Sequence, residues 1–355
     1  MGLVHGKQRR PTLAQVATVA GVSTMTASYV YSKPSRVSAE STSRVLAAAA
    51  RLGYPGPHPG ARSLRRGRAG SLGVVIGEHL AYAFEDPQAA QFLAGIADEC
   101  GAAGVGLTLV PTIGAPVDVE RISEAVVDGF VVWTTTDDDP VLDAVEATGL
   151  PVAIHAGPVR TGIPVVGIND RAAARAIGAI VFAGAQRPAV LSFPIDRLRR
   201  PHTAIGSPGA DVTFPVTRAR WLGFLDAWRD LGGSPRTLQV AVCSYNRAAC
   251  GEDAARDLLG SRRAPDAIAA MSDELALGAL AAVRNSALAI PADLALSGWD
   301  DTDAASRADL TTVAQLLRSQ GRACARLALD PPGRAAEPID SPWHVVTRGS
   351  TRPST

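Results

Sequence analysis

Apolar and polar positions follow two different periods along the chain, and the change of period divides it. From Leu13 to Leu52 the apolar residues recur every three or four positions. They run Leu13, Val16, Ala17 and Ala20, then Ala27 and Val30, then Val45, Leu46, Ala49 and Leu52. That spacing lays one apolar stripe along each of three short helices. Thr12 and Gln15 stand at capping-box spacing ahead of the first stripe. Gly21 closes that helix as a residue that tolerates left-handed backbone, and Ser23 caps the second. Only Gly21-Val22-Ser23 separates the first two helices, the short glycine-containing turn of a helix-turn-helix. A third helix, from about Ser38 to Leu52, closes the bundle.

Beyond Ser71 the pattern becomes short apolar runs separated by helical segments. Leu72–Ile76, Val105–Val110, Phe130–Trp133, Val152–His155, Ala189–Phe193, Leu238–Val242, Ala267–Met271 and Leu294–Ser297 read as strands. Helices fit between most of them, at roughly 88–103, 118–127, 139–148, 170–184, 218–232, 247–260 and 273–287. Strands alternating with helices predict parallel sheets covered on both faces, and some eight strands suit two doubly wound lobes better than one. Ligands of such sheets bind beyond the carboxyl ends of the strands. Tyr82, Phe84 and Asp86 follow the first run, Ser272-Asp273 follow Met271, and Gly298-Trp299-Asp300-Asp301 follow Ser297, while Arg220 precedes Gly223. Two carboxylates, an arginine and several aromatics suit a polar, sugar-like or nucleoside-like molecule. Structural readings stand beside these: Asp273 as a helix cap, Asp301 as the closer of a turn, Asp137-Asp138-Asp139 as a solvated loop.

Charge sharpens the division. The net charge of +1 hides a first part, residues 1–70, with eleven Lys and Arg against the single acid Glu40. The remaining residues hold 24 basic and 33 acidic groups. Such segregation implies a polyanion-binding head on a body that repels the same polyanion. In a helix-turn-helix the second helix enters the major groove, which offers Thr24, Met25, Ser28 and Tyr29 as outward positions. Thr26 suits a capping or phosphate contact, and Lys33, Arg36 and Arg44 suit phosphates. After Tyr54 the Pro- and Gly-rich stretch Pro55–Gly60 leads into Ala61-Arg62-Ser63-Leu64-Arg65-Arg66-Gly67-Arg68. A lone leucine among four arginines reads either as a mobile basic linker or as a short helix that forms on DNA, with Leu64 wedged into the minor groove.

Composition excludes other classes. At 355 residues, 46% hydrophobic and 19% charged, the chain suits two or three globular domains. No apolar run approaches the roughly 18 residues of a membrane span, and Met1–Arg10 is polar and basic, so a cytoplasmic location without membrane insertion is expected. Cys100, Cys243, Cys250 and Cys324 form no CxxC pair and read as reduced thiols without a metal. There is no Walker loop, G-x-S-x-G elbow, GxGxxG fingerprint or HExxH pair, so neither an enzyme nor a cofactor is expected.

From Pro11 to about Arg352 these pieces resemble the LacI/GalR family of bacterial regulators. The passages that carry the likeness are Leu13-Ala14-Gln15-Val16-Ala17 with Ala20-Gly21-Val22-Ser23, Arg36-Val37-Ser38, Val45-Leu46-Ala47-Ala48-Ala49, Leu52-Gly53-Tyr54 and Ala61-Arg62-Ser63-Leu64. Asp128-Gly129, Leu275-Ala276-Leu277-Gly278-Ala279, Gly298-Trp299-Asp300-Asp301 and Arg348-Gly349-Ser350-Thr351 follow in order. The resemblance implies a helical DNA-binding head and a periplasmic-binding-protein-like α/β body of two doubly wound parallel-sheet lobes. It also implies a homodimer on a pseudo-palindromic operator, whose affinity an effector between the lobes changes by allostery. Base-reading residues of the family fall on Thr24, Met25 and Tyr29; Thr26, Ser28, Lys33, Arg36 and Arg44 are left for the backbone, and Arg62 and Leu64 for the minor-groove hinge. Its pocket arginine and aspartate fall on Arg220 and Asp300, joined by Tyr82, Phe84, Asp86, Ser272 and Trp299, with Ser272 where many members have Asn. Tyr29 departs from a frequent Arg, the stretch between Tyr54 and Ala61 is one residue longer than usual, and Tyr82-Ala83-Phe84-Glu85-Asp86-Pro87 replaces a polar-Asn-Pro loop. The implied organisation is an arm at 1–10, a head at 11–55 and a hinge at 56–70. A first lobe follows at 71–187 with about 307–330, then a second at 188–306 with about 331–355.

Overall fold

The computed structural model describes residues 11–56, 68–209, 211–284, 286–330 and 339–353; the arm at 1–10 and the hinge residues Arg62 and Leu64 lie outside them. The chain divides into two compact units, residues 1–69 and 70–355.

In the first unit the expected helices form as α1 (Leu13–Ala20), α2 (Thr24–Ser32) and α3 (Ala39–Leu52). The capping box is complete: the Gln15 side chain accepts from the Thr12 amide at 2.8 Å, and Thr12 Oγ1 accepts from the Gln15 amide at 3.3 Å. Gly21 takes φ 65°, the left-handed conformation that lets its amide reach back to the last carbonyls of α1. Val16, Ala17, Ala20, Ala27, Val30, Val45, Ala48 and Ala49 form the core. Leu46 was expected inside but is 49% exposed, and Ala48 is buried instead. The buried stripe of α3 runs Val45-Ala48-Ala49, a spacing of three and four that leaves position 46 on the outer flank.

Among the described residues, the second unit holds two large sheets and a small one. The first runs β12-β5-β4-β3-β1-β2, from strands β1 (Ser71–Ile76), β2 (Gly106–Pro111), β3 (Phe130–Trp133), β4 (Val152–His155), β5 (Val165–Gly167) and β12 (Ile339–Asp340), all parallel. The second runs β10-β9-β6-β8-β7, from β6 (Pro188–Ser192), β7 (His202–Ile205), β8 (Gln239–Val242), β9 (Ala267–Ala270) and β10 (Ala295–Ser297). A two-stranded antiparallel piece joins β11 (Thr312–Gln315) to β13 (Trp343–Val346). Each large sheet has an apolar cluster on both faces, as central parallel strands require.

Five strands escaped the pattern reading: β5, β7, β11, β12 and β13. They are short or carry exposed polar residues, and β7 departs from the all-parallel expectation by running antiparallel to β8 at the sheet edge. The lobe boundaries also shift. The helix Asp170–Val181, expected in the first lobe, packs Ala173, Ala174, Ile177 and Val181 into the second lobe's core with Trp221 and Phe224. The segment Ile339–Asp340, expected in the second, pairs with β5 of the first. Both follow from contact rather than chain order: an apolar face packs wherever its complement lies. Leu317–Leu329 does return to the first lobe, against Pro87–Ala103, and the two helices meet at glycines. A Cβ at Gly95 would fall 2.0 Å from the Arg318 carbonyl oxygen, and one at Gly321 2.1 Å from that of Phe92.

Candidate functional sites in the head and the cleft

On α2 the outward residues are Thr24 and Met25, the latter 65% exposed, with Ser28 and Tyr29 half-buried beside them. All lie within the first two turns because Ser23 starts the helix, its Oγ accepting from the Thr26 amide at 3.0 Å. Thr26 Oγ1 lies 2.8 Å from the same Ser23 hydroxyl, so its side chain belongs to the cap. Lys33 and Arg36 are exposed at the end of α2 and in the 3₁₀ turn Pro34–Arg36. Arg44, expected on a phosphate, is engaged at home. Its Nε donates to the Ala20 carbonyl at 3.0 Å and its Nη2 to that of Gly21 at 2.7 Å, satisfying carbonyls that the end of α1 leaves unpaired. Arg44 thus clamps α3 to the turn between α1 and α2.

The body holds a cavity between its lobes, lined from the loops beyond the strand ends. Of the seven residues expected there, Tyr82, Asp86, Arg220 and Asp300 line it. Arg220 is buried, donating from Nε to Asp170 Oδ1 at 2.7 Å and from Nη1 to the Met271 carbonyl at 2.5 Å. Its guanidinium lies 3.8 Å from the ring centre of Trp299. Trp299 is therefore a buried platform behind Arg220, not a lining residue. Ser272 is also fully buried off the cavity: its hydroxyl accepts from the Leu275 amide at 3.1 Å and donates to Asn246 Oδ1 at 2.5 Å. Phe84 is 72% exposed and does not line the cavity. Two residues along a helical turn from Tyr82, it faces the other way, while Tyr82 leans on Trp133 with ring centres 5.8 Å apart.

Asp86 caps the helix Pro87–Ala103, with Oδ1 accepting from the Gln88 and Ala89 amides at 2.8 Å each. Its Oδ2 accepts from Asn246 Nδ2 at 2.6 Å, so Asp86, Asn246 and Ser272 form a chain across the lobes. Arg247–Glu85 at 2.8 Å and Arg199–Glu78 at 2.6 Å tie the lobes beside it. Asp300 sits at φ 114°, a conformation costly for a residue with a Cβ, and accepts from Gln315 Nε2 at 2.7 Å. Loss of water pushes the Asp300 carboxyl well above the usual carboxylate range despite the pull of Arg220. Burial raises Asp86 too, against its amide and Asn246 hydrogen bonds, and raises Asp170 against Arg220.

The structural readings resolve individually. Asp273 is fully buried and accepts from the Thr302 amide at 2.8 Å and the Thr312 hydroxyl at 2.7 Å. Asp301 pairs with Arg348 at 2.6 Å. Asp139, expected in solvent, is buried because it caps the helix Pro140–Ala147, accepting from the Val141 amide at 3.0 Å.

The sequence reading missed Asp170, Asn246, His155, Gln315 and Gln320. Asn246 lies four residues past β8, and the rule that ligands sit beyond strand ends points to it. Asp170 follows β5, and Gln315 and Gln320 end or follow β11; both are strands that the hydrophobic pattern does not reveal. Burial lifts the Cys243 thiol to about 12 and raises that of Cys324, and the four cysteines are unpaired. Among the described residues no cluster of side chains suits a metal ion, and no helix is long and apolar enough to cross a membrane.

Comparison with known proteins finds matches for both parts of the chain. Residues 12–56 match the model of bacterial regulatory proteins of the lacI family, and residues 198–351 that of a periplasmic binding protein-like domain. The chain is 36% identical over 322 residues to the HTH-type transcriptional regulator IpsA of Corynebacterium glutamicum, covering 89% of each. It is 36% identical over 350 residues to the HTH-type transcriptional regulator Rv3575c of Mycobacterium tuberculosis, covering 97% of each. Among solved structures, a LacI-family transcriptional regulator from Corynebacterium glutamicum superposes with a TM-score of 0.70 at 29% identity, over 97% of this chain and 100% of that one. These relatives are regulators of transcription and not enzymes. A DNA-binding helix-turn-helix joined to a periplasmic-binding-protein-like body, with relatives of this kind along nearly its whole length, makes the chain a member of the LacI family of bacterial transcriptional regulators.

Proposed function

We propose that the protein is a cytoplasmic, homodimeric repressor whose grip on a pseudo-palindromic operator is changed by an uncharged sugar-like or nucleoside-like effector in the interlobe cavity. In this reading Thr24, Met25 and Tyr29 meet base edges in the major groove, while Ser28, Lys33 and Arg36 hold phosphates and Thr26 and Arg44 stiffen the helix that reads. Arg220, Asp86, Asp300 and Tyr82 orient the effector.

The observation that carries the effector reading is the charge of the cavity. Arg220 is the one arginine or lysine among its described lining residues, and it is already paired with Asp170, while Asp86, Asp300 and Glu78 add acid. A phosphate or carboxylate entering there meets no uncommitted cation, whereas hydroxyl groups can both donate to the carboxylates and accept from neighbouring amides. The effector must bind the DNA-competent and incompetent states unequally, by about 1–3 kcal/mol, for regulation to follow.

The test is selection of duplexes from a random pool by the full-length chain, then anisotropy titration with D-ribose, cellobiose, adenosine and glucose 6-phosphate as probes. A two-fold-symmetric site, bound less tightly as salt rises, is expected, with affinity changed about 5-fold or more by an uncharged probe. Duplex binding that ignores salt, or a response confined to the phosphate, overturns the reading.

A further inference from the structure

Two side chains of the first lobe line the cavity with unmet hydrogen-bonding capacity. His155, at the end of β4, and Gln320, in the helix Leu317–Leu329, are 6% and 1% exposed. They bond to each other, His155 Nε2 lying 2.7 Å from Gln320 Oε1. Seven buried side-chain polar atoms have no partner among the described residues, and three belong to residues lining this cavity: His155 Nδ1, Gln320 Nε2 and Thr135 Oγ1. Buried polar groups are as a rule paired, so three unpaired ones on residues around one cavity give it hydrogen-bonding capacity that a polar ligand can meet.

The chemistry of the pair follows from proton counting. An amide oxygen only accepts, so His155 Nε2 carries the hydrogen and donates. The ring is neutral, its pKa pulled down to about 4 by burial. Nδ1 is then bare and accepts, while the Gln320 amide nitrogen donates. Turning the amide over reverses both ends together: Gln320 donates to Nε2, the hydrogen moves to Nδ1, and the amide oxygen becomes the free acceptor. Either way the pair offers at least one donor and one acceptor. Packing fences the ring, with Phe92 at 4.5 Å and Trp133 at 6.2 Å between ring centres, so it cannot swing away to find other partners.

We infer that His155 and Gln320 act as a matched donor–acceptor reader that selects an effector presenting hydroxyl groups on its first-lobe side. The inference rests on the effector reading above and deepens it. A hydroxyl donates and accepts, so adjacent hydroxyls satisfy both ends of the pair. A carboxylate satisfies the donor alone and an ammonium the acceptor alone, each leaving one buried group unmet. Selectivity of this kind is steep, because a ligand lacking the group leaves the protein's own polar atoms unpaired.

The experiment uses the full-length chain. Calorimetric titration with D-ribose, D-glucose, cellobiose, adenosine and single-deoxy forms of the strongest probe is run on the wild type and on Gln320→Leu and His155→Phe. ¹⁵N spectra of histidine-labelled wild type are recorded with and without that probe. Expected are a loss of affinity of about tenfold or more in each variant, weaker discrimination between parent and deoxy forms, and a shift of the His155 Nδ1 resonance on saturation. Binding by both variants within twofold of the wild type, or an unmoved Nδ1 resonance, overturns the inference even if a variant folds poorly, since the spectra need none. Silence from every probe on the wild type sinks the effector reading and this inference with it, an outcome distinct from normal binding by the variants.

Discussion

The base-reading candidates of the head all fall between Thr24 and Tyr29, on one helix whose start is set by one serine. The cavity of the body draws Asp86, His155, Asp170, Arg220, Asn246, Asp300 and Gln320 from seven places along the chain. The first set faces outward and has little to do with how the helix is held; Val16, Ala27, Val30 and Val45 do that from behind. The second set is woven into the structure, since Asp86 caps a helix and joins the lobes, and Arg220 carries a buried ion pair on a tryptophan. On the proposed reading, recognition and stability are thus separable in the head and fused in the cleft. A surface that reads DNA can change its residues at little cost to folding. The proposed effector pocket, by contrast, is built partly from residues that tie the two lobes together.

The sharpest way to break that contrast is Arg220→Ala. It leaves Asp170 buried without its partner and Trp299 without its cation, so we expect roughly 3–5 kcal/mol of destabilisation. Calorimetry of the full chain should record a Tm lower by on the order of 10 °C. A Tm within a degree or two of wild type would mean that the ion pair serves binding alone.

A smaller effect is expected from pH. Folding holds His155 at about 4 against an ordinary value of 6.5, so the unfolded chain binds the proton more readily between those values. The contribution of a neutral His155 is present above about pH 6.5 and lost as pH falls toward 4, by about 3 kcal/mol at most. The raised carboxyls of Asp86, Asp170 and Asp300 work in the opposite sense over acid pH. Denaturant titrations of wild type and His155→Phe, compared at pH 7 and pH 4.5, isolate the histidine: the variant should lose less stability on acidification. Parallel losses would place the ring in solvent.

The smallest stability effects belong to the head. Arg36→Ala and Tyr29→Ala should each change stability by about 0.5 kcal/mol or less, yet separate in function. Arg36→Ala should weaken binding to all duplexes alike and lower the salt slope by about 1, while Tyr29→Ala should reorder which sequences are preferred. If the two behave identically in anisotropy titrations, the division between base reading by α2 and phosphate contact by the turn after it is wrong.

Legibility in the amino-acid order follows the same line. The capping box at Thr12 and Gln15, the turn at Gly21 and the three helices of the head are written in neighbouring residues, because helix periodicity and capping act over three or four positions. Leu46 shows the limit, as its stripe position left two faces open. In the body, short apolar runs announced eight strands. β5, β11 and β12 hold only one or two consecutive apolar residues, too few to stand out, and the pairing of β12 with β5 decides which lobe its segment joins. Tyr82 and Phe84 look alike in the sequence, and a single helical turn sends one into the cavity and the other into solvent.

Local chemistry therefore set the two-part plan, the charge of each part and the face of α2 before any fold was known, since those properties depend on residues a few bonds apart. The pairing of Arg220 with Asp170, of Asp86 with Asn246 and of His155 with Gln320 had no such signature. Each joins residues separated by 50 to 165 positions, and such partners meet only when the sheets and their covering helices have packed.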